Sequence, residues 1–288
     1  MDFHVGNNVY FCTRFDYQQK AIQMKKLKKI LKSFDEERNQ KIGNSWNAEA
    51  VKQCFMPCAK EILCNGYFLI NEKYIIDIGA IELYYHEEEG NIKDYIMYHT
   101  NAHPYKSRMS EFAKGYPYFK IGRFNLHQSG LDVTFENPDK DKKYRASFLI
   151  RSYRLLEAEN GKYPLNDNTK YDHCSTHIFD DMFYEGISLS DTKIEWRIGD
   201  KGKEMDEPIF RVNVPMYLEK DKKYLKLTKE EYDNNHDILL SINKGLAMDV
   251  KESDVKTFRS NGKEYVRDPR PWRFHLKDIY EKNKEDGR

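Results

Sequence analysis

The run from Tyr74 to Tyr84, Tyr-Ile-Ile-Asp-Ile-Gly-Ala-Ile-Glu-Leu-Tyr, constrains the fold more than any other part of the chain. Ile75, Ile76, Ile78 and Ile81 make it too apolar for a solvated loop, so it reads as a strand inside a core. Tyr67 to Ile70 reads as a shorter strand before it, with Asn71-Glu72-Lys73 as the turn. Leu131 to Phe135 alternates apolar and polar residues, as a half-buried strand does, and Ala146 to Tyr153 reads as a buried strand. These segments are expected in one curved antiparallel sheet. Arg197 to Val214 and Tyr217 to Leu227 read as further strands interrupted by loops, and Thr228 to His236 opens a short acidic helix.

Helices come first in the chain. Asp16 and Gln19 have capping-box spacing ahead of Met24, Leu27, Leu31 and Phe34, which recur at helical period. Lys25, Lys26, Lys28, Lys29 and Lys32 fill much of the remaining surface. That face is either solvated or rides on phosphates or an acidic surface. Asn47 caps a second helix with Val51, Cys54 and Phe55 inward. Pro57 starts a third, ended by Asn65-Gly66. Glu87-Glu88-Glu89-Gly90 reads as a charged break, residues 101–122 as an irregular connection and Pro138 to Lys143 as a charged turn. The expected organisation is α+β: a single domain with a curved antiparallel sheet and flanking helices. Residues 1–56 are a helical N-terminal addition and residues 57–288 the α+β domain.

Composition narrows the function. Hydrophobic residues are 39% and charged residues 33% of the 288, yet Tyr 21 and Phe 16 exclude a disordered chain. Lysine plus arginine (48) nearly cancels aspartate plus glutamate (47), so nucleic acid binding would need local basic patches. Five cysteines, an odd count, and no basic-then-apolar leader point to the cytoplasm rather than a disulfide scaffold. No apolar run approaches the roughly 20 residues of a membrane helix.

Glu82 is the chemically interesting group of the central run. A carboxylate emerging from an apolar strand is partly desolvated, which raises its pKa toward that of a general base. The alternative is an ordinary strand-end glutamate, solvated or paired. Around it the order of motifs resembles the methylpurine (3-methyladenine) DNA glycosylase family. Ala59-Lys-Glu-Ile-Leu-Cys64 stands for the family's Ala-x-x-Leu-Leu-Gly-like helix end, and Glu82-Leu83-Tyr84 for its Glu-Ala-Tyr. His99 and Arg108 are nine apart, like the pocket histidine and the arginine of an Arg-Asn pair, although Met109 replaces the asparagine. Gly122 to Leu126, Ser129-Gly130 and Leu149-Ile150-Arg151-Ser152 follow the family's strand, hairpin and partner strand. Pro271-Trp272-Arg273-Phe274 repeats a C-terminal segment. The likeness covers roughly residues 59–156 plus 271–274.

The resemblance implies hydrolysis of the N-glycosidic bond of a damaged purine after base flipping, on double-stranded DNA and without a cofactor. It makes Glu82 the general base and Tyr84, His99, Phe124, Leu126 and Arg151 the stacking or pocket residues. Arg108, Ser129, Leu131 and Arg273 become the DNA contacts. Ser129 stands where members carry a wedging tyrosine and is too short to hold a base step open, so Leu131 is the substitute wedge. Glu136 stands near the family's pocket asparagine. The alternative function is a non-catalytic descendant of this fold that binds nucleic acid or a small ligand.

Other constellations are weaker. His99-x-x-x-His103 and His173-Cys174-x-x-His177 have metal-ligand spacing but lie among loop formers and lack an internal glutamate, so no metal is expected. Cys54, Cys58 and Cys64 read as small buried residues. Gly199-Asp-Lys-Gly-Lys203 is too short for a P-loop and reads as a turn. The Arg267 to Arg273 segment is either a phosphate-contacting arm or a strand packed by Trp272.

Overall fold

Two strands of thirteen residues, β2 (Tyr74–His86) and β5 (Arg145–Glu157), pair antiparallel along their whole length and form the spine of the molecule. The computed structural model describes residues 24–41, 46–97, 118–127, 129–139, 143–165, 167–172, 193–221, 223–277 and 279. Around the spine lie β1 (Gly66–Ile70), β3 (Arg123–His127), β4 (Gly130–Thr134) and β6 (Ile194–Ile198), in the order β3-β4-β5-β2-β1-β6. A three-residue strand, Arg273–His275, pairs with β2 as well. The expected antiparallel sheet is therefore present, and it curls into a half-barrel.

Its curl has a readable direction. The Phe124 ring of β3 lies 5.5 Å from that of Phe68 on β1, four strands along the sheet, and Phe68 meets Trp196 of β6 at 4.7 Å. The sheet thus wraps around the face that carries Phe68, Ile76, Ile81, Val133 and Phe148, all in one buried cluster. Two helices fill that inner face, α1 (Lys25–Lys41) and α2 (Ala48–Lys60), the latter running into a π-helical turn at Glu61–Asn65. Leu27, Leu31 and Phe34 of α1 and Val51, Cys54 and Phe55 of α2 are buried there. Fully burying each such side chain stabilises by roughly 1.5–3 kcal/mol.

Asn47 caps α2 as expected, its side chain accepting from Ala50 N at 2.9 Å. Pro57, expected to start a third helix, lies inside α2. It is tolerated because it sits on the exposed side with Gln53, whose carbonyl loses its N–H partner toward water. The boundary expected at residue 56 falls within this helix, and the described helical residues before it share the sheet's core.

A bulged step divides β2. Ile78 pairs with Tyr153, Ala80 with Ser152 and Ile81 with Ile150, so Gly79 is an extra residue on β2 and Arg151 one on β5. Ile76 and Ile78 point inward before the step, and Ile81, Leu83 and Tyr85 after it. Asp77 and Glu82, five residues apart, therefore both leave the outer face.

That outer face is polar and covered. Asp77, fully buried, receives Lys201 Nζ at 2.7 Å, Arg154 Nε at 2.8 Å, Tyr163 Oη at 2.6 Å and the Tyr171 hydroxyl. Burial alone would push this carboxyl up, but Lys201 and these donors hold it below its usual range. Lys201 also donates to Gly66 O at 3.0 Å, and burial pushes its ammonium down against the pull of Asp77. The Gly199–Lys203 stretch, expected as a turn, is irregular chain in which Gly202 N donates to Asp200 Oδ1 at 2.8 Å, and its Lys201 anchors the outer layer. Strands were expected over Arg197 to Val214, but after β6 that stretch has only two isolated bridges, Met205 with Leu276 and Ile209 with Arg273.

The rest is a small annex. β7 (Tyr217–Lys220) with β8 (Lys223–Lys226), and β9 (Thr257–Ser260) with β10 (Lys263–Val266), are hairpins. The acidic helix α3 (Lys229–Asp233) starts at a Thr228 capping box, and α4 (Ile238–Leu246) buries Ile242 and Leu246 against Met216, Leu227 and Val266. The short strand at Arg273–His275 is β11. It settles the Arg267–Arg273 alternatives in favour of packing: Trp272 and Phe274 are fully buried, and the indole donates to Ala48 O at 3.2 Å. No helix among the described residues is long and apolar enough to cross a membrane.

Candidate functional site

Glu82 pairs in register with Leu149 of β5 on one side and Arg273 of β11 on the other. Its carboxylate is 0% exposed. Val212 N donates to Oε1 at 2.6 Å and Tyr84 Oη donates to Oε2 at 3.0 Å. Arg151 Nε lies 3.6 Å from Oε1, an ion pair longer than a hydrogen bond, with its own side chain 24% exposed. Arg151 reaches Glu82 because it is the extra residue of the bulge, a position that re-aims a side chain. One of the four acceptor positions of the carboxylate is taken by Val212 and one by Tyr84, leaving Oε2 with further capacity.

The site is roofed by a second buried network. Arg211 donates to Asp94 at 2.7 and 3.2 Å and to Leu83 O at 3.2 Å, and it lies 3.2 Å from Asp268. Arg270 joins the same two carboxylates, bonding Asp268 at 2.6 Å and Asp94 at 3.2 Å. The Arg211 guanidinium stands 4.7 Å from the centre of the Tyr84 ring. Arg211 thereby fixes the neighbouring Val212 N–H on Glu82. Burial first, and the Glu82 carboxylate second, push the Tyr84 phenol up, so it is a hydrogen-bond donor throughout the physiological range.

Several sequence expectations are corrected by this geometry. Glu82, expected where the strand emerges, lies inside β2 and faces outward from the half-barrel, under the chain that carries Val212. Tyr84 is within reach, but one face of its ring carries Arg211. Phe124 is on the inner face against Phe68, because it pairs with Val133; Asn125, pairing with Asp132, takes the outer face. Leu131, expected as the substitute wedge, is 4% exposed and belongs to the inner core. Ser129 is exposed in the β3–β4 turn, where its N–H donates to His127 Nδ1 at 3.1 Å. Leu126 pairs in register with Leu131. His99 and Arg108 lie outside the described residues, as do His103, His173, Cys174 and His177.

The charges that sequence reading placed in solvent are the other difference. Glu87 is buried and accepts from Trp46 at 2.9 Å, Tyr85 at 2.6 Å and Arg38 at 3.1 Å. Glu136, the residue near the family's pocket asparagine, is buried against Arg145 at 3.3 Å and accepts from Phe119 N at 2.7 Å. Cys54, Cys58 and Cys64 are buried thiols, as expected. Among the described residues no group of three or more histidine, cysteine or acidic side chains could hold a metal ion. No protein-family model, no curated protein and no solved structure matches the chain.

Proposed function

We propose that the chain is a DNA glycosylase-like hydrolase that cleaves the N-glycosidic bond of a damaged purine. The observation that carries this reading is the meeting of Glu82, Tyr84 and Arg151 on two paired strands, with a bulge turning the arginine toward the carboxylate. In the reaction Glu82 takes a proton from water as the water oxygen bonds to the sugar C1′. The C1′–N bond breaks and its electron pair leaves with the base, which is protonated from solvent. Tyr84 and Val212 N–H fix the carboxylate. Arg151, the exposed member, anchors the nucleotide and lines the way in. With Ser129 at the hairpin turn, mismatched or single-stranded substrates are preferred over intact duplex.

A second reading, a non-catalytic protein of this fold that binds nucleic acid or a small ligand, is favoured by one observation: Glu82 is wholly enclosed. The test is base release from oligonucleotides bearing alkylated or deaminated purines, with Glu82→Gln beside the parent. The hydrolase reading expects release by the parent and a loss of about 10²-fold or more in the variant, with binding retained. Salt-sensitive binding without release of any base leaves the second reading. No salt-sensitive binding removes both.

A further inference from the structure

The lysines of α1 are arranged against the interest of the helix. Lys25, Lys26, Lys28, Lys29 and Lys32 crowd its first two turns, with no acidic residue in the first turn. The helix N-terminus carries the positive end of the macrodipole, so cations there are unfavourable. Acidic residues appear only from Asp35 on: Asp35 accepts from Asn137 at 3.1 Å, Glu37 lies 3.8 Å from Lys41, and Glu36 is exposed at the far end of the lysine run. Among the described residues none of the five lysines has a carboxylate within 4.0 Å. Lys25, Lys26, Lys29 and Lys32 are exposed.

The patch continues beyond the helix. The stem of Lys28 lies on Gly122, where a Cβ would come within 3.0 Å of Lys28 Cγ. Gly122 is flanked by Lys120 and Arg123, both exposed, at the foot of the β3–β4 hairpin. Lys25, Lys28, Lys29 and Lys32 stand at i, i+3, i+4 and i+7, a single stripe about 10 Å long. The opposite stripe, Leu27, Leu31 and Phe34, is fully used by the core. The helix has no apolar face left to sink into lipid, which disfavours a membrane surface.

We infer that the lysine stripe of α1, continued by Lys120 and Arg123, is a surface for the phosphate backbone of nucleic acid. The inference rests on the nucleic-acid part of the proposed function, not on hydrolysis at Glu82. It reconciles a net charge of +1 with a polyanionic partner, because the positive charge is gathered rather than abundant. Lysines carry no planar fork for base edges, so the surface positions a strand without reading its sequence.

The test is fluorescence anisotropy of a labelled duplex and a single strand against the full chain, over a salt series. A variant with Lys25→Gln, Lys29→Gln and Lys32→Gln leaves Lys28 on Gly122 undisturbed. A control carries Lys220→Gln, Lys223→Gln and Lys263→Gln, exposed lysines of the small hairpins. Melting curves confirm that both stay folded. The expected result is a fall in the slope of log K against log salt of about 2.7 for duplex, at about 0.9 per lysine, in the α1 variant alone. An unchanged slope, an equal loss in the control, or binding of anionic vesicles but not oligonucleotides would overturn the inference. Base release with a slope untouched by the α1 changes keeps the hydrolase and removes this surface. A lowered slope with no base release keeps the surface and removes the hydrolase.

Discussion

Replacing Asp77 with asparagine keeps the shape of the side chain and removes the only carboxylate that Lys201 touches among the described residues. The two cations at Asp77 are not equally exposed to this loss. Arg154 keeps the carbonyls of Asp167 at 2.9 Å and Thr169 at 3.0 Å and the Tyr163 hydroxyl, while Lys201 keeps only Gly66 O. Stranding a buried charge in this way costs about 3–5 kcal/mol. At roughly 2–4 °C per kcal/mol for a chain near this size, Tm falls by about 6–20 °C. The ammonium of Lys201 is already depressed by burial, and without Asp77 it is depressed further. Its unfolded form then binds more protons than its folded form up to about pH 10.4, so stability rises with pH across that window. The loss should therefore be larger at pH 6 than at pH 9.5. Adding Lys201→Met to Asp77→Asn should recover most of it by removing the stranded charge. Thermal melting at pH 7 measures the fall in Tm, and urea unfolding at the two pH values measures the pH dependence and the recovery. A Tm within about 2 °C of the parent at pH 7, or the same loss at both pH values, would refute the reasoning.

His86 is buried, its Nδ1 accepts from Asp94 N at 3.0 Å, and burial followed by the charge of Lys93 lowers its pKa to about 3. The unfolded chain takes up this proton first, so the stability from a neutral His86 is complete above about pH 6.5 and is lost as pH falls toward 3. Urea midpoints at pH 7.5 and 5 should show the fall, and His86→Gln should flatten it; an equal fall in both proteins contradicts the assignment. Leu131→Ala should cost about 2–5 kcal/mol as a cavity in the inner core, read by urea unfolding, with DNA affinity per folded molecule unchanged. A selective loss of duplex affinity would restore Leu131 as a wedge. Burial pushes the Cys58 thiol up to about 11, and its Sγ lies 3.2 Å from Ile30 O, so it should alkylate only as fast as the protein opens. Labelling faster than hydrogen exchange of the α2 amides would count against that.

Strands and helices were legible where apolar residues dominate: the isoleucines of β2, the alternation of β4, and the Leu27-Leu31-Phe34 stripe of α1 sit where their spacing puts them. The Glu82–Tyr84 pair was legible as a two-residue spacing on a strand, although the strand runs on to His86 and leaves Glu82 inside it. The ionic layer was not. Asp77 meets Lys201 across 124 residues and Asp94 meets Arg211 across 117, and nothing local in either stretch marks a charge as buried. The resemblance makes Phe124 a stacking or pocket residue, but its face depends on the partner strand: pairing with Val133 turns the ring inward. Arg151 was named as an anchor, but its route to Glu82 depends on a bulge that a sequence pattern does not display.

Gly79 gives that bulge a consequence for how this chain can vary. A Cβ there would come within 2.1 Å of Ile279 and 2.6 Å of the Tyr171 ring, the ring whose hydroxyl serves Asp77. A side chain there requires Ile279 and the Tyr171 ring to move, and the one residue of extra length lets the inward positions change parity along β2. Up to Ile78 the inward positions are even-numbered, and from Ile81 they are odd. Deleting the extra residue at this step would leave a regular strand in which Ile78, Ile81 and Leu83 still face inward and Asp77, Glu82 and Tyr84 still face outward. Elsewhere along the strand, where no bulge absorbs it, a change of length by one residue reassigns every side chain on one side of the change. The step at Gly79 is thus the place where β2 can lose a residue and still keep Asp77 and Glu82 on the same face.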